Sequence, residues 1–158
     1  MLSVLAVSLF LAGCAREKTI GLKQNIHHDD FEYSAQAVER VGQIGDKKAR
    51  GLFYIVTFQV ENHAKRVGHA WSNDIAYCVD ADAGQYENEG EAQRELERVK
   101  PFGCQDKYLT GAGDVQTTRL VYDLPNDVKE PCLMVRGEFM MGDLLDGNQY
   151  KKTKIPLF

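Results

Sequence analysis

The chain has 158 residues, 44% of them hydrophobic, with 19 basic against 23 acidic side chains and a formal net charge of −4. That length suits one domain with a real core, and the scattered basic residues form no aromatic-interleaved Arg/Lys face, which argues against a nucleic-acid partner. No GxSxG, HExxH, Gly-rich phosphate loop or paired-carboxylate signature occurs, so the expectation is a non-enzymatic protein without a cofactor.

Residues 1–13 (MLSVLAVSLFLAG) carry no charge, and the first charged side chain is Arg16. The run is too short to span a bilayer, which takes about 20 apolar residues, and it fits a secretory signal segment. It closes on Leu11-Ala12-Gly13-Cys14, which resembles the bacterial lipobox. The resemblance implies a diacylglycerol thioether on Cys14, cleavage after Gly13 and acylation of the new amino terminus. The Cys14 thiol is the nucleophile that takes the lipid, and small neighbours admit the peptidase to the backbone. Several acyl chains anchor stably where one is marginal. The pattern departs from the lipobox in having no Lys or Arg ahead of the apolar run. Ala15 and Arg16 stand where an Asp would resemble an inner-membrane retention signal, so the expected location is the outer membrane or cell surface.

Residues 15–30 (AREKTIGLKQNIHHDD) are polar and aperiodic. They read as a tether, so the expected organisation is a signal peptide over 1–13, a lipidated N-terminus and tether over 14–30, and a folded sandwich domain over 31–158. Phe31, Tyr33, Ala35 and Ala37 alternate with polar residues, a strand signal. A glycine-flanked basic loop, 42–51, follows. In GLFYIVTFQVEN, Leu52, Tyr54, Val56, Phe58 and Val60 share one face; Phe53 and Ile55 join Thr57, Gln59 and Glu61 on the other. The β-branched and aromatic content makes this the clearest strand. After the turn 62–68, Trp71, Asn73, Ile75, Tyr77 and Val79 alternate with Ser72, Asp74, Ala76 and Cys78, and DADAGQY turns the chain into a hairpin partner. The composition of 90–100 (GEAQRELERVK) favours a short surface helix ended by Pro101, with Glu95 placed to meet Arg98. Residues 115–124 alternate again, with Leu120, Tyr122 and Leu124 inward and Arg119 and Asp123 outward. Leu133, Val135, Gly137 and Phe139 then alternate with Cys132, Met134, Arg136 and Glu138, and 155–158 reads as an edge strand that tolerates Pro156. Seven or so short strands, one inserted helix and Gly-rich turns describe an all-β, two-sheet antiparallel sandwich.

The runs YIVTFQVENHAKR, DADAGQYEN and GAGDVQTTRLVYDLP resemble a family of bacterial extracytoplasmic domains of unknown function. Its members are often lipoproteins with an immunoglobulin-like sandwich, similar in shape to the mycobacterial secreted immunoprotective antigens. Asn62, Asp80, Asp82, Gly84, Tyr86, Gly113 and Pro125 match the pattern, Ala83 is inserted, and the helix at 90–100 is an addition. These are turn and strand signals, so the resemblance implies a fold and carries over no catalytic residue.

Several side chains invite a site reading. Asp80, Asp82 and Glu91 fall at the first, third and twelfth places of a calcium loop, but Gln85 occupies the place that needs Gly and a strand precedes the loop. A hairpin turn is the preferred reading. His27 and His28, with Asp29 and Asp30, are candidates for zinc or copper, and Met140-Met141 adds soft sulfur elsewhere. Adjacent histidines point apart in an extended chain, which favours a solvated linker. With Cys14 assigned to lipid, Cys78, Cys104 and Cys132 remain. Three thiols allow at most one intramolecular disulfide, and the alternation places Cys78 and Cys132 on outward faces of strands expected to be neighbours. Cys78–Cys132 is therefore the preferred pair in an oxidising envelope, against a reading in which all three are reduced. His63 and His69 lie on a turn with no fixed nucleophile partner. Lys47, Lys48, Arg50, Lys65 and Arg66 are expected to form a local basic patch for an acidic partner, or else a solvated surface. The functional expectation is a membrane-anchored lipoprotein whose sandwich binds an envelope or extracellular protein. Its alternative is a periplasmic module for calcium or copper.

Overall fold

The computed structural model describes residues 17–136 and 152–158; Cys14, Met140, Met141 and the 137–139 part of the expected late strand lie outside them. The strands, in chain order, are β1 (Lys18–Thr19), β2 (Ile26–His28), β3 (Phe31–Ile44), β4 (Lys47–Asn62), β5 (His69–Ser72), β6 (Ala76–Val79) and β7 (Gln85–Tyr86). Helix α1 (Gly90–Val99) comes next, then β8 (Lys107–Thr110), β9 (Val115–Leu124), β10 (Cys132–Val135) and β11 (Thr153–Pro156). One sheet has the order β2-β3-β4-β9, a second β1-β11-β10-β6-β7, and β5-β8 forms a separate ribbon. All pairings are antiparallel except β1 with β11. The all-β sandwich is therefore as the sequence leads one to expect, with a third small ribbon added.

The main core lies between the two large sheets, where Tyr33, Val56, Phe58, Val60, Leu120 and Tyr122 meet Ala76, Cys78, Leu133 and Ile155. Tyr122 is wholly buried, and its hydroxyl donates to the Ala76 carbonyl at 3.1 Å, joining one sheet to the other. A second cluster sits on the outer face of the four-stranded sheet. There Phe53, Ile55 and Val121 pack beneath Ala92 and Leu96 of α1, and Ile44 closes one side. These outward apolar residues on β4 give the helix its seat. The helix therefore covers sheet rather than lying free on the surface. Gln93 accepts from the Val121 backbone N–H at 3.2 Å, and Arg98 holds Glu95 through two bonds of 2.6 and 2.8 Å.

The stretch 17–30, expected to be a tether, is part of the sandwich. β1 pairs with β11, β2 pairs with β3, and Ile20, Ile26 and His28 are buried. Short strands of two or three residues leave too few positions to display a period, so the signal was absent rather than contrary. Two register shifts also break the alternation of β3. Gln36 is the extra residue of the first; after it Ala37 is exposed and Val38 turns toward the core.

A 3₁₀ turn at Asn73–Ile75 separates β5 from β6 and reverses the side-chain phase. Trp71 and Ile75 are buried as expected, but Ala76 and Cys78 now point inward, while Tyr77 faces out beneath the Arg136 guanidinium at 4.6 Å. This overturns the expected Cys78–Cys132 disulfide. β6 and β10 are neighbours, yet Cys78 pairs with Leu133 and Cys132 with Val79. In a pleated pair, that offset of one residue places the two side chains on opposite faces. All three described cysteines are free thiols, and burial pushes the Cys78 thiol far up.

Candidate functional site

The sandwich surface at the β2–β3 turn and at the end of β4 gathers most of the chemistry-bearing side chains. Across the outer face of three neighbouring strands, His27 is paired with Glu32, and Glu32 in turn with Glu61. His27 Nδ1 lies 3.5 Å from Glu32 Oε1. Just beyond β4, His63 Nε2 lies 3.5 Å from Glu32 Oε2 and 3.7 Å from Glu61 Oε2. Glu32, Glu61 and His63 are the group among the described residues whose ligand atoms lie within 4.8 Å of one another. Asn25 also donates to Glu32 Oε2.

His63 is held there by Asn62, which is 1% exposed. The Asn62 side chain donates to the carbonyls of Val67 and Thr110 at 2.8 and 3.0 Å and accepts from the Ala64 N–H at 2.9 Å. Gly113, at φ +81°, donates to the Asn62 carbonyl at 2.8 Å. The Asn62 and Gly113 of the sequence pattern are thus a knot that fixes the loop 63–68. Asn62→Ala should lower stability by about 1–3 kcal/mol, since it strips the buried Thr110 carbonyl and the buried Ala64 N–H of their partner. Urea unfolding checks this, and an unchanged midpoint would sink it.

On the inner side of the same strands lies a cleft of about 570 Å³, walled by Phe31, Tyr33, His69 and Trp71 with Asp74 and Arg136 at its margin. Phe31 stacks on His69 at 4.0 Å, and the Tyr33 hydroxyl meets His69 Nε2 at 3.0 Å. His28 points to this side and His27 to the other, as adjacent residues of a strand must.

The remaining candidates are dispersed. Asp80 accepts from the backbone of Asp82 and Gly84 at 3.0 and 2.7 Å and from the Tyr86 hydroxyl at 2.8 Å. The Tyr86 bond first, then the backbone bonds, hold its carboxyl below the usual range. Its oxygens are thus committed to the β6–β7 turn, while Glu91 sits on α1 paired with Lys47 at 2.5 Å and Asp82 faces Lys129 at 3.8 Å. The three do not converge as a calcium loop. The expected basic patch also divides. Lys47, Lys48 and Arg50 begin β4 and Lys65 and Arg66 follow its end, as much as roughly 50 Å apart along a strand of that length. Arg50 is turned onto Asp123 by two contacts of 2.9 Å and one of 2.8 Å. Lys48, Lys65 and Arg66 are exposed.

Sequence reasoning reached His27 as a ligand candidate and His63 only as a base without a partner, and it missed Glu32 and Glu61, because cross-strand register, not spacing along the chain, unites them. Their polar places opposite one another on β3 and β4 were the available signal.

No protein-family model matches the chain, and no curated protein does so by sequence. Solved structures do match in shape. The yjhA protein of Bacillus subtilis has a TM-score of 0.61 at 12% identity, with 87% of this chain and 98% of that one covered. The secreted protein MPT63 of Mycobacterium tuberculosis gives 0.54 at 11% identity over 79% and 93%. An uncharacterized β-sandwich protein of Clostridium difficile gives 0.54 at 10% identity over 90% and 95%. Identities this low speak for fold and for nothing further: the chain is a β-sandwich protein of the shape shared by these three.

Proposed function

We propose that the chain is a non-enzymatic binding domain of the bacterial cell envelope, anchored by lipid on Cys14 and engaging an envelope or extracellular protein. The observation that carries this is the place of Leu11-Ala12-Gly13-Cys14, three residues ahead of Glu17. Three residues reach at most about 11 Å when fully extended, so lipid on Cys14 holds the β1–β11 edge next to the bilayer. The long tether drawn from composition is replaced by a close-set domain with a fixed edge toward the membrane. A secreted protein among its structural neighbours agrees with an extracytoplasmic place. Lys65 and Arg66, exposed together between β4 and β5, are the part of the basic set that remains suited to an acidic partner.

Cys14→Ser tests the anchor. The variant should move from the membrane to the soluble fraction with its far-UV circular dichroism unchanged; retention in the membrane fraction would sink the lipid reading. Crosslinking on intact cells tests the partner. One abundant envelope protein should be recovered, and its recovery should fall when Lys65 and Arg66 are both changed to Glu. Recovery that ignores the double change removes those two residues from the interface.

A further inference from the structure

We propose that Glu32, Glu61 and His63 form a zinc site on the outer face of the four-stranded sheet, with His27 orienting Glu32. The inference stands apart from the lipid anchor and uses none of its residues.

Two features of the backbone place these ligands. Glu32 and Glu61 stand directly opposite on β3 and β4, where like charges destabilise a sheet unless a cation lies between them. His63 enters from the loop just beyond β4, within reach of both carboxylates. Its Nε2 is 3.5 Å from one and 3.7 Å from the other. Zinc bound at 2.0–2.1 Å by nitrogen and oxygen has tetrahedral edges of about 3.3–3.4 Å. The two histidine–carboxylate separations need to close by only a few tenths of an ångström, and the ligand atoms of all three side chains lie within 4.8 Å of one another. An imidazole in the set argues against calcium, which takes oxygen ligands, and the lack of sulfur argues against Cu(I).

His27 has a different part. Its Nδ1 faces Glu32 Oε1, while His63 faces Oε2. A ligating carboxylate held from its other oxygen is the usual outer-shell arrangement. The fourth vertex is left to water. Since β2 is the edge strand of its sheet, the ion and its outer shell would tie β2, β3, β4 and the loop 63–68 together.

The test is calorimetric titration of the purified full-length chain with zinc chloride alone, in a buffer that does not chelate. One equivalent should bind, and the melting temperature should rise with zinc concentration. His63→Ala and Glu61→Gln should each weaken binding by about a hundredfold and His27→Ala by about tenfold. These side chains are at the surface, and unchanged circular dichroism verifies that the variants fold. A chain carrying both Cys104→Ser and Cys132→Ser should bind as the parent does. No saturable uptake overturns the proposal. So does binding that survives His63→Ala but is lost with the two thiols. If His27→Ala costs as much as His63→Ala, His27 is a ligand and its orienting role is wrong.

Discussion

Replacing Arg119 by alanine should destabilise the protein by about 3 kcal/mol, the scale for removing one partner of a buried charged pair. Arg119 is 7% exposed on β9, and a guanidinium so placed requires partners on several sides. Its Nη2 donates to Glu97 Oε2 at 3.2 Å and to the Lys100 carbonyl, while the guanidinium carbon lies 4.9 Å from the Phe102 ring centroid. These contacts latch the end of α1 and the chain that follows it to the sheet. Glu97 also accepts from the backbone N–H groups of Phe102 and Gly103 at 2.8 and 2.6 Å. Burial alone would push its carboxyl up; the bonds from Phe102, Gly103 and Cys104 outweigh that and hold it down to about 2. The folded value lies below the unfolded one, near 4.3 for a free Glu. The stabilisation is thus present above pH ~4.3 and fades as pH falls through about 2. Glu95, held down to about 2 chiefly by its bonds from Arg98, adds to the same window, so the parent's acid slope is not Glu97's alone. Subtracting the Glu97→Gln curve isolates it. Urea unfolding from pH 7 to 2 should show the variant weaker at neutral pH and converging on the parent toward pH 2. A constant gap across that range would refute the latch.

The longer strands were legible over much of their length because period-2 burial imposes itself on residue type, whereas the four-residue β8 was missed and the expected loop 42–51 is strand on both sides of a turn at 45–46. β4 and β9 are the clear cases, and Val56, Phe58, Leu120 and Tyr122 all lie inward as their alternation requires. Phase was lost wherever the backbone inserts something that leaves no mark on composition. The 3₁₀ turn at Asn73–Ile75 moved Cys78 inward and Tyr77 outward, and one extra residue at Gln36 turned Ala37 to solvent. A disulfide argument built on parity cannot survive such a shift, because a single residue decides the face. The helix was legible from composition, but its seat was not; the mark of it was Phe53 and Ile55, apolar on the face they share with Thr57, Gln59 and Glu61.

The site was less legible than the fold. Sheet sites are assembled across strands, so their members sit at sequence separations set by turn lengths and register. Glu32 and Glu61 are 29 positions apart and become neighbours only through the β3–β4 pairing. Asp80, Asp82 and Glu91 are the converse case: their spacing along the chain offered a calcium loop, but the hairpin turn preferred over it is what forms, with Asp80 bonded inside the β6–β7 turn and Glu91 carried off on α1.

Trp71→Ala should cost about 3–5 kcal/mol, the range for deleting a buried aromatic side chain. Trp71 lies in β5, is 7% exposed and stacks on Tyr108 of β8 with centroids 4.1 Å apart and 14° between planes. Its edge meets Phe58 at 6.5 Å, and Nε1 donates to the Thr110 hydroxyl at 2.8 Å. Tyr108 in turn bonds Thr118 of β9 at 2.5 Å, so one ring stack fastens the β5–β8 ribbon to the four-stranded sheet. Trp71→Phe keeps part of the stack but leaves the buried Thr110 hydroxyl without its donor, and should cost about 1–2 kcal/mol. Circular dichroism during urea unfolding measures both. Trp71 is the single tryptophan of the chain, so parent fluorescence reports the ribbon separately, and its transition should coincide with the dichroism if ribbon and sandwich unfold together. The ribbon also carries the Thr110 carbonyl that receives Asn62, the residue before His63. Loosening the ribbon should therefore weaken zinc binding in Trp71→Ala, although the substitution removes no ligand. A variant that loses stability yet binds zinc as tightly as the parent would show that the loop 63–68 keeps its shape without the ribbon, and would confine the role of Trp71 to the core.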